Sequence, residues 1–185
     1  MAHRGGHLIM PTSVTATGTG YSATISANGS VSFSACDTLS LNGVFSADYD
    51  NYTIVARHDG TTTATVRMRL RSSGTDTAGT GYTVQTLEAY GSTVSAARYT
   101  AQSLFIFGPV ANTERGGHII NVYGPFLAQP TSARCVSTGP WSAAFPGYMI
   151  DSANAHSGST SFDGCTLMLS GGAFTGRVAV YGMRK

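Results

Sequence analysis

The sequence predicts an all-β protein, a single antiparallel β-sandwich of jelly-roll-like form, and three observations predict it. Apolar and polar residues alternate with a period of two in several short runs. The clearest sets Val66, Met68 and Leu70 against Arg67, Arg69 and Arg71, which puts three apolar side chains on one face of a strand and three guanidinium groups on the other. From Tyr21 onward, turn-forming residues recur about every eight to twelve positions, the spacing of a sandwich. No window carries a convincing helical period, and only 45–50 and 92–101 hint at a helical turn.

The elements follow in order. Residues 1–10, MAHRGGHLIM, form a Gly-containing basic lead ending in Leu8, Ile9 and Met10 before Pro11. An exposed apolar tripeptide is costly unless it docks, either on the chain's own sheet or on a neighbouring subunit or particle. Residues 1–13 are therefore set apart as an N-terminal attachment arm and 14–185 as the sandwich domain. Tyr21, Ala23 and Ile25, then Val31, Phe33 and Ala35, alternate on either side of Asn28-Gly29, which predicts a hairpin with a type I′ turn. Tyr52, Ile54 and Ala56 alternate ahead of His58-Asp59-Gly60, so this run is expected to pair as a second hairpin with the Val66–Met68–Leu70 strand. Further strands are expected at 82–90, 104–107, 118–123, 133–137, 160–170 and 176–183. Arg115-Gly116-Gly117-His118-Ile119-Ile120 matches Arg4-Gly5-Gly6-His7-Leu8-Ile9 and reads as two similar strand entries.

A chain of 185 residues with 11% charged side chains, against roughly 25% in average proteins, has a surface of hydroxyls and backbone suited to packing against other subunits. Part of that bias, like the ten arginines to one lysine, matches a GC-rich coding sequence. A net charge of +2 argues against nucleic acid as a partner. Arg67, Arg69 and Arg71 form the one candidate anion-facing row, with a solvated or subunit-facing row as the alternative. Base-stacking aromatics are not interleaved with them. Cys36, Cys135 and Cys165 are odd in number and lack a CxxC pair, so buried free thiols are expected. The start, Met-Ala-His-Arg, has no apolar leader, and no stretch approaches about 18 consecutive apolar residues, so no membrane insertion is expected.

Chemistry has few parts here. Glu88 and Glu114 are the only glutamates, which leaves little for a paired-carboxylate glycosidase site. Asp48 and Asp50 sit in a turn-like setting where their carboxylates bond their own backbone. His3, His7, His58, His118 and His156 show no metal-ligand spacing, although a site on an oligomer axis stays open. GxSxG and P-loop patterns are missing. The expectation is therefore no catalytic residue, no metal and no cofactor. The stretch 137–161 reads as a long loop in which Trp141, Phe145 and Tyr148 can stack on a sugar while Asp151 and Asn154 take its hydroxyls. Equally, Trp141 and Phe145 can plug the sandwich end or a subunit seam.

The order Leu41-Asn42-Gly43-Val44-Phe45-Ser46, then Tyr49-Asp50-Asn51-Tyr52, Arg69-Leu70-Arg71, Ser73-Gly74-Thr75-Asp76, Tyr82 and Gln85 resembles a module of bacteriophage tail-fibre, minor-tail and related virion proteins. In these, Pro-Thr-Ser-Val-Thr and Val-Tyr-Gly-x-Arg often bracket the module. They stand here as residues 11–15 and 180–184. The resemblance implies a structural protein of the particle, at the tail, the baseplate or as a head decoration. It would be made in the host cytoplasm, self-associate, often as a trimer, and contact other virion proteins. The alternative is a receptor-binding module for host surface glycan. No active site comes with the family.

Overall fold

The computed structural model of the protein describes residues 6–110, 115–140 and 147–183. Within them run β1 (His7–Ile9), β2 (Ser13–Thr17), β3 (Ser22–Ile25), β4 (Val31–Cys36), β5 (Thr38–Asn42), β6 (Asn51–Gly60), β7 (Ala64–Ser72) and β8 (Thr75–Asp76). They are followed by β9 (Tyr82–Tyr90), β10 (Thr93–Gln102), β11 (Phe105–Val110), β12 (Gly116–Tyr123), β13 (Thr131–Gly139), β14 (Tyr148–His156), β15 (Gly164–Leu169) and β16 (Phe174–Met183). No helix occurs among the described residues, hence none long and apolar enough to cross a membrane. The large sheet has the order β10-β9-β14-β13-β12-β6-β16-β4-β3, with β1 beside the far end of β16. The small one has the order β11-β7-β15-β5-β2, with β8 beside β7. All pairings are antiparallel, and the two inner faces pack together as a sandwich.

Strand alternation decides what fills the space between the sheets. The large sheet contributes Phe33, Tyr52, Ile54, Ile120, Val122, Phe174 and Val180, and the small one Leu39, Leu41, Val66, Met68, Leu70, Phe105 and Leu167, all buried. Cys36, Cys135 and Cys165 are free and buried. Val66, Met68 and Leu70 face inward, as their spacing requires, and the arginines between them face away.

Several local expectations are corrected. The runs at β6 and β7 do not form a hairpin: β6 lies between β12 and β16 in the large sheet, β7 between β11 and β15 in the small one. Thr61, Thr62 and Thr63 carry the chain across the sandwich, and Asp59-Gly60 belongs to the end of β6. An arch and a hairpin leave the same alternation in the sequence, so periodicity cannot separate them. The β3–β4 hairpin forms, with Ile25 opposite Val31. Its turn is not type I′, because Gly29 has φ +90° while Asn28 is not among the residues with positive φ. Instead the Gly29 N–H bonds the Ser26 carbonyl, and Asn28 accepts from the Ser30 N–H. Residues 92–101, a weak helical candidate, lie in β10, and 45–50 form a turn without helix. The expected loop 137–161 contains β14, a central strand of the large sheet.

The described part of the N-terminal lead is drawn into the sheet. His7, Leu8 and Ile9 pair with Gly182, Tyr181 and Val180, and Ile9 packs on the core. Of the expected arm of residues 1–13, His7–Ile9 form β1 and Ser13 opens β2. Met10 remains exposed.

Two buried tyrosines tie the layers. The Tyr52 hydroxyl receives the Ser46 N–H (2.7 Å) and donates to the Ser46 carbonyl, holding the 44–50 turn against β6. From the large sheet, Tyr82 receives the Leu70 N–H of β7 at 3.2 Å and donates to the Thr77 carbonyl at 2.8 Å. Burial pushes its phenol up to about 12, so the donor stays protonated. Tyr82→Phe is expected to cost about 1–3 kcal/mol, because it strands a buried N–H and a carbonyl. Ile54→Ala, which opens a cavity, should cost about 2–5 kcal/mol. Urea denaturation at neutral pH measures both, and a loss near zero for Ile54→Ala would contradict its core position.

Candidate interaction surface

Because β6, β9, β12, β13, β14 and β16 alternate in register, their outward residues line up into cross-strand rows. One row runs Ala179, Val55, Ile119, Val136, Asp151, Leu87, Ala96. The next runs Arg177, Arg57, Gly117, Thr138, Met149, Ala89, Val94. Ile119, Met149, Leu87 and Val94 are 51–70% exposed, so none of the described residues covers them. The carboxylate interrupting the first row is neutralised within the sheet: Arg134 Nε donates to Asp151 Oδ1 at 2.9 Å. This bond holds the Asp151 carboxyl below its ordinary range. At the β12–β10 end the surface is therefore apolar and nearly charge-compensated. The edge strand β10 carries a single charged residue, Arg98, and is exposed along almost its whole length.

At the β6–β16 end the same face changes character. A groove of about 480 Å³ is bounded by Arg57, Asp59, Arg115, Arg177, Tyr181 and Val55 among others. Arg57 and Arg177 stand directly opposite each other in the ladder. Arg115 is held to Asp59 at 3.5 Å. Arg177 Nε reaches only the Ser32 hydroxyl, at 3.4 Å. Gly176 permits the close seating of these strands, since a Cβ there would strike the Arg57 carbonyl oxygen and the His58 backbone.

Beneath this floor the inward residues include two stacked imidazoles. His58 and His118 lie 4.8 Å apart at 3°, and Phe174 meets His58 edge-on. His118 Nδ1 shares a hydrogen bond with Ser137 Oγ at 2.8 Å, while His118 Nε2 and both His58 ring nitrogens have no protein partner. Burial pushes His58 down to about 4, with Asp59 opposing weakly. It lowers His118 well below the usual histidine range, aided by the neighbouring His58. Both rings are therefore neutral at physiological pH. Among the described residues no group of three His, Cys, Asp or Glu side chains is placed to hold a metal ion.

Among the described residues, those singled out from the sequence lie in different parts of the fold. Trp141 and Phe145 lie outside the described residues. Tyr148 and Asn154 point into the sandwich from β14, whereas Asp151 points out from the same strand. The Asn154 side chain is engaged internally, accepting the Ile106 N–H and donating to Ser152. The arginine row keeps its face but does not form an open anion-facing surface. Arg71 is buried because β8 folds back beside it: its guanidinium donates to Asp76 and the Gly74 carbonyl, and to Ser40, Asn42 and Thr166 at 2.8–3.0 Å. Arg69 donates to the Ser103 carbonyl, and Arg67 is half-buried. Leu8 and Ile9 are half-buried in β1. Asp48 lies in a turn, but its carboxylate accepts from the Ser46 hydroxyl and not from the backbone, and the Asp48 N–H donates to the same Ser46 oxygen. Arg57 and Arg177, which the sequence reading passed over as site residues, are more open than the row it chose. Their alternation gave the face, but only strand order makes them neighbours.

No family model matches the chain, and no curated protein matches it. Among solved structures, a non-specific endo-β-1,3(4)-glucanase of family GH16 aligns at 13% identity and a TM-score of 0.25. The alignment covers 82% of this chain, which spans 64% of the glucanase chain. At that level the likeness adds nothing to the fold, which rests on the sheets described above.

The buried imidazoles set a pH dependence. An unfolded chain takes up a proton at His58 near pH 6.5, whereas the folded chain resists until about 4. The unfolded state thus binds more protons in that window, and stability falls as pH is lowered from about 6.5 towards 4. The 2.5-unit gap makes the loss on the order of 3 kcal/mol from His58, with a further loss in the same direction from His118. In urea titrations at pH 7 and 4.5, His58→Phe should show a smaller acid loss than the parent. Equal losses would contradict a neutral buried ring.

Proposed function

We propose that this chain is a non-enzymatic structural protein of a bacteriophage particle, a tail or baseplate minor protein or a head decoration. It self-associates through the outer face of its large sheet and docks on other virion proteins. One observation carries the reading: the cross-strand apolar surface of Ile119, Val136, Met149, Leu87 and Val94, whose nearest charges already pair with each other. Monomers rarely leave so continuous an apolar patch in water, and its desolvation cost is low because hydroxyls and alanines surround it. The resemblance of the 41–85 stretch to virion modules supplies the particle context, and it implies a trimer. The same context supports a protein made in the host cytoplasm and then carried in the virion.

In sedimentation velocity at micromolar concentration the protein should run as an oligomer. The Leu87→Arg/Val136→Asp variant should run as a monomer with unchanged far-UV circular dichroism. A monomeric parent protein would overturn self-association. Normal incorporation of the double variant into particles would overturn the role assigned to this face.

A further inference from the structure

We infer that the groove between β6, β16 and Arg115 is a binding site for an acidic sugar, a pyranose bearing a carboxylate or phosphate. This goes beyond self-association and does not rest on it: the apolar surface lies towards β12–β10, the groove at β6–β16.

Like charges placed directly opposite in an antiparallel pair oppose folding, yet Arg57 and Arg177 occupy such a pair. Elsewhere Arg71, Arg134 and Arg115 are answered by Asp76, Asp151 and Asp59, and Arg67, Arg69 and Arg98, which have no such carboxylate, stand opposite uncharged residues. Among the described residues no carboxylate is paired with Arg57 or Arg177. Folding does not account for two opposed guanidinium groups whose one neighbouring carboxylate in the groove, Asp59, is held by Arg115. An oxyanion bound between them does, through the planar, forked donor geometry that suits carboxylate and phosphate.

The arginines border a concavity of about 480 Å³, within the range of small-ligand sites. Its lining is mixed as a sugar requires. Val55, Ala179 and the Tyr181 ring give an apolar wall for the face of a pyranose, while Ser32, Thr175 and Asp59 offer hydroxyl and carboxylate partners for its hydroxyls. Tyr181 is also anchored opposite Leu8 of β1, so the N-terminal strand fixes the backbone that carries this wall. A linear nucleic acid would instead want a longer basic track with several stacking rings. The groove has a single tyrosine and a short cluster of charge.

Isothermal titration with trigalacturonate tests the assignment, with neutral galactotriose and a short single-stranded oligonucleotide as comparison probes. Trigalacturonate should bind at low salt and lose affinity as salt is raised, and galactotriose should bind at least about tenfold more weakly. Arg57→Gln/Arg177→Gln should weaken trigalacturonate by about tenfold or more, whereas Arg98→Gln on β10 should change it less than about twofold. The double variant should melt at or above the parent temperature, since a like-charge pair has been removed. The Leu87→Arg/Val136→Asp monomer should bind as the parent does, which keeps this result separate from the outcome for self-association. Absence of trigalacturonate binding, equal affinity for the neutral trisaccharide, tighter binding of the oligonucleotide, or an unchanged double variant would each overturn the site. So would a fall in its melting temperature of several degrees, which would make the arginines structural.

Discussion

The structure depends on one constraint: two sheets, each apolar on one face only, must close on each other. Period-two alternation gives every strand a single inward row, and neither sheet could stand in water alone with Phe33, Ile54 and Val180, or Leu41, Met68 and Leu167, uncovered. The chain meets the constraint by moving between sheets. After β2 it crosses to β3 and β4, returns for β5, crosses for β6 and returns for β7. Hairpins such as β3–β4, β9–β10 and β12–β13–β14 are interspersed with arches. Consecutive strands therefore often face one another across the core instead of pairing edge to edge.

The residues that carry the resemblance to virion modules do internal work at these crossings. Asn42 donates to Ser13 and accepts from Arg71, linking β5 to β2 and β7. Arg71 and Asp76 bind the β8 return to Thr166 of β15. Tyr52 holds the turn that follows β5, and Tyr82 joins the two sheets. Buried ion pairs of this kind are costly to break because the surviving charge is left without its partner, by about 3–5 kcal/mol for fully buried cases. Arg71 is thus better understood as a clamp than as a ligand for anything outside the fold.

With these side chains taken up internally, the outer face of the large sheet stays open. It is an apolar field towards β10 and a basic groove towards β16, with two neutral imidazoles packed directly beneath the groove. The neutrality of His58 and His118 matters to the surface above. A charged pair there would destabilise the packing beneath the β6–β12 ladder on which Arg57, Val55 and Ile119 are mounted.

The sequence by itself determined the fold class, the inward and outward rows of most strands, and the burial of the free cysteines. Each of these follows from local alternation and from counting. It also placed Leu8 and Ile9 as apolar residues needing cover. It did not decide where that cover lay, nor that β6 and β7 part company across an arch. It did not show that Tyr148-Met149-Ile150-Asp151-Ser152 alternates as a central strand, because its small polar inward residues, Ser152 and Asn154, disguise the core face. Nor could it rank the arginines. Arg71 and Arg57 look alike in sequence, both on alternating strands, and only the folded neighbours differ: β8 and Asp76 close over the first, while Arg177 is brought opposite the second. Alternation is a property of one strand, whereas exposure and charge pairing belong to strands far apart in the chain. Those were decided only by the tertiary structure.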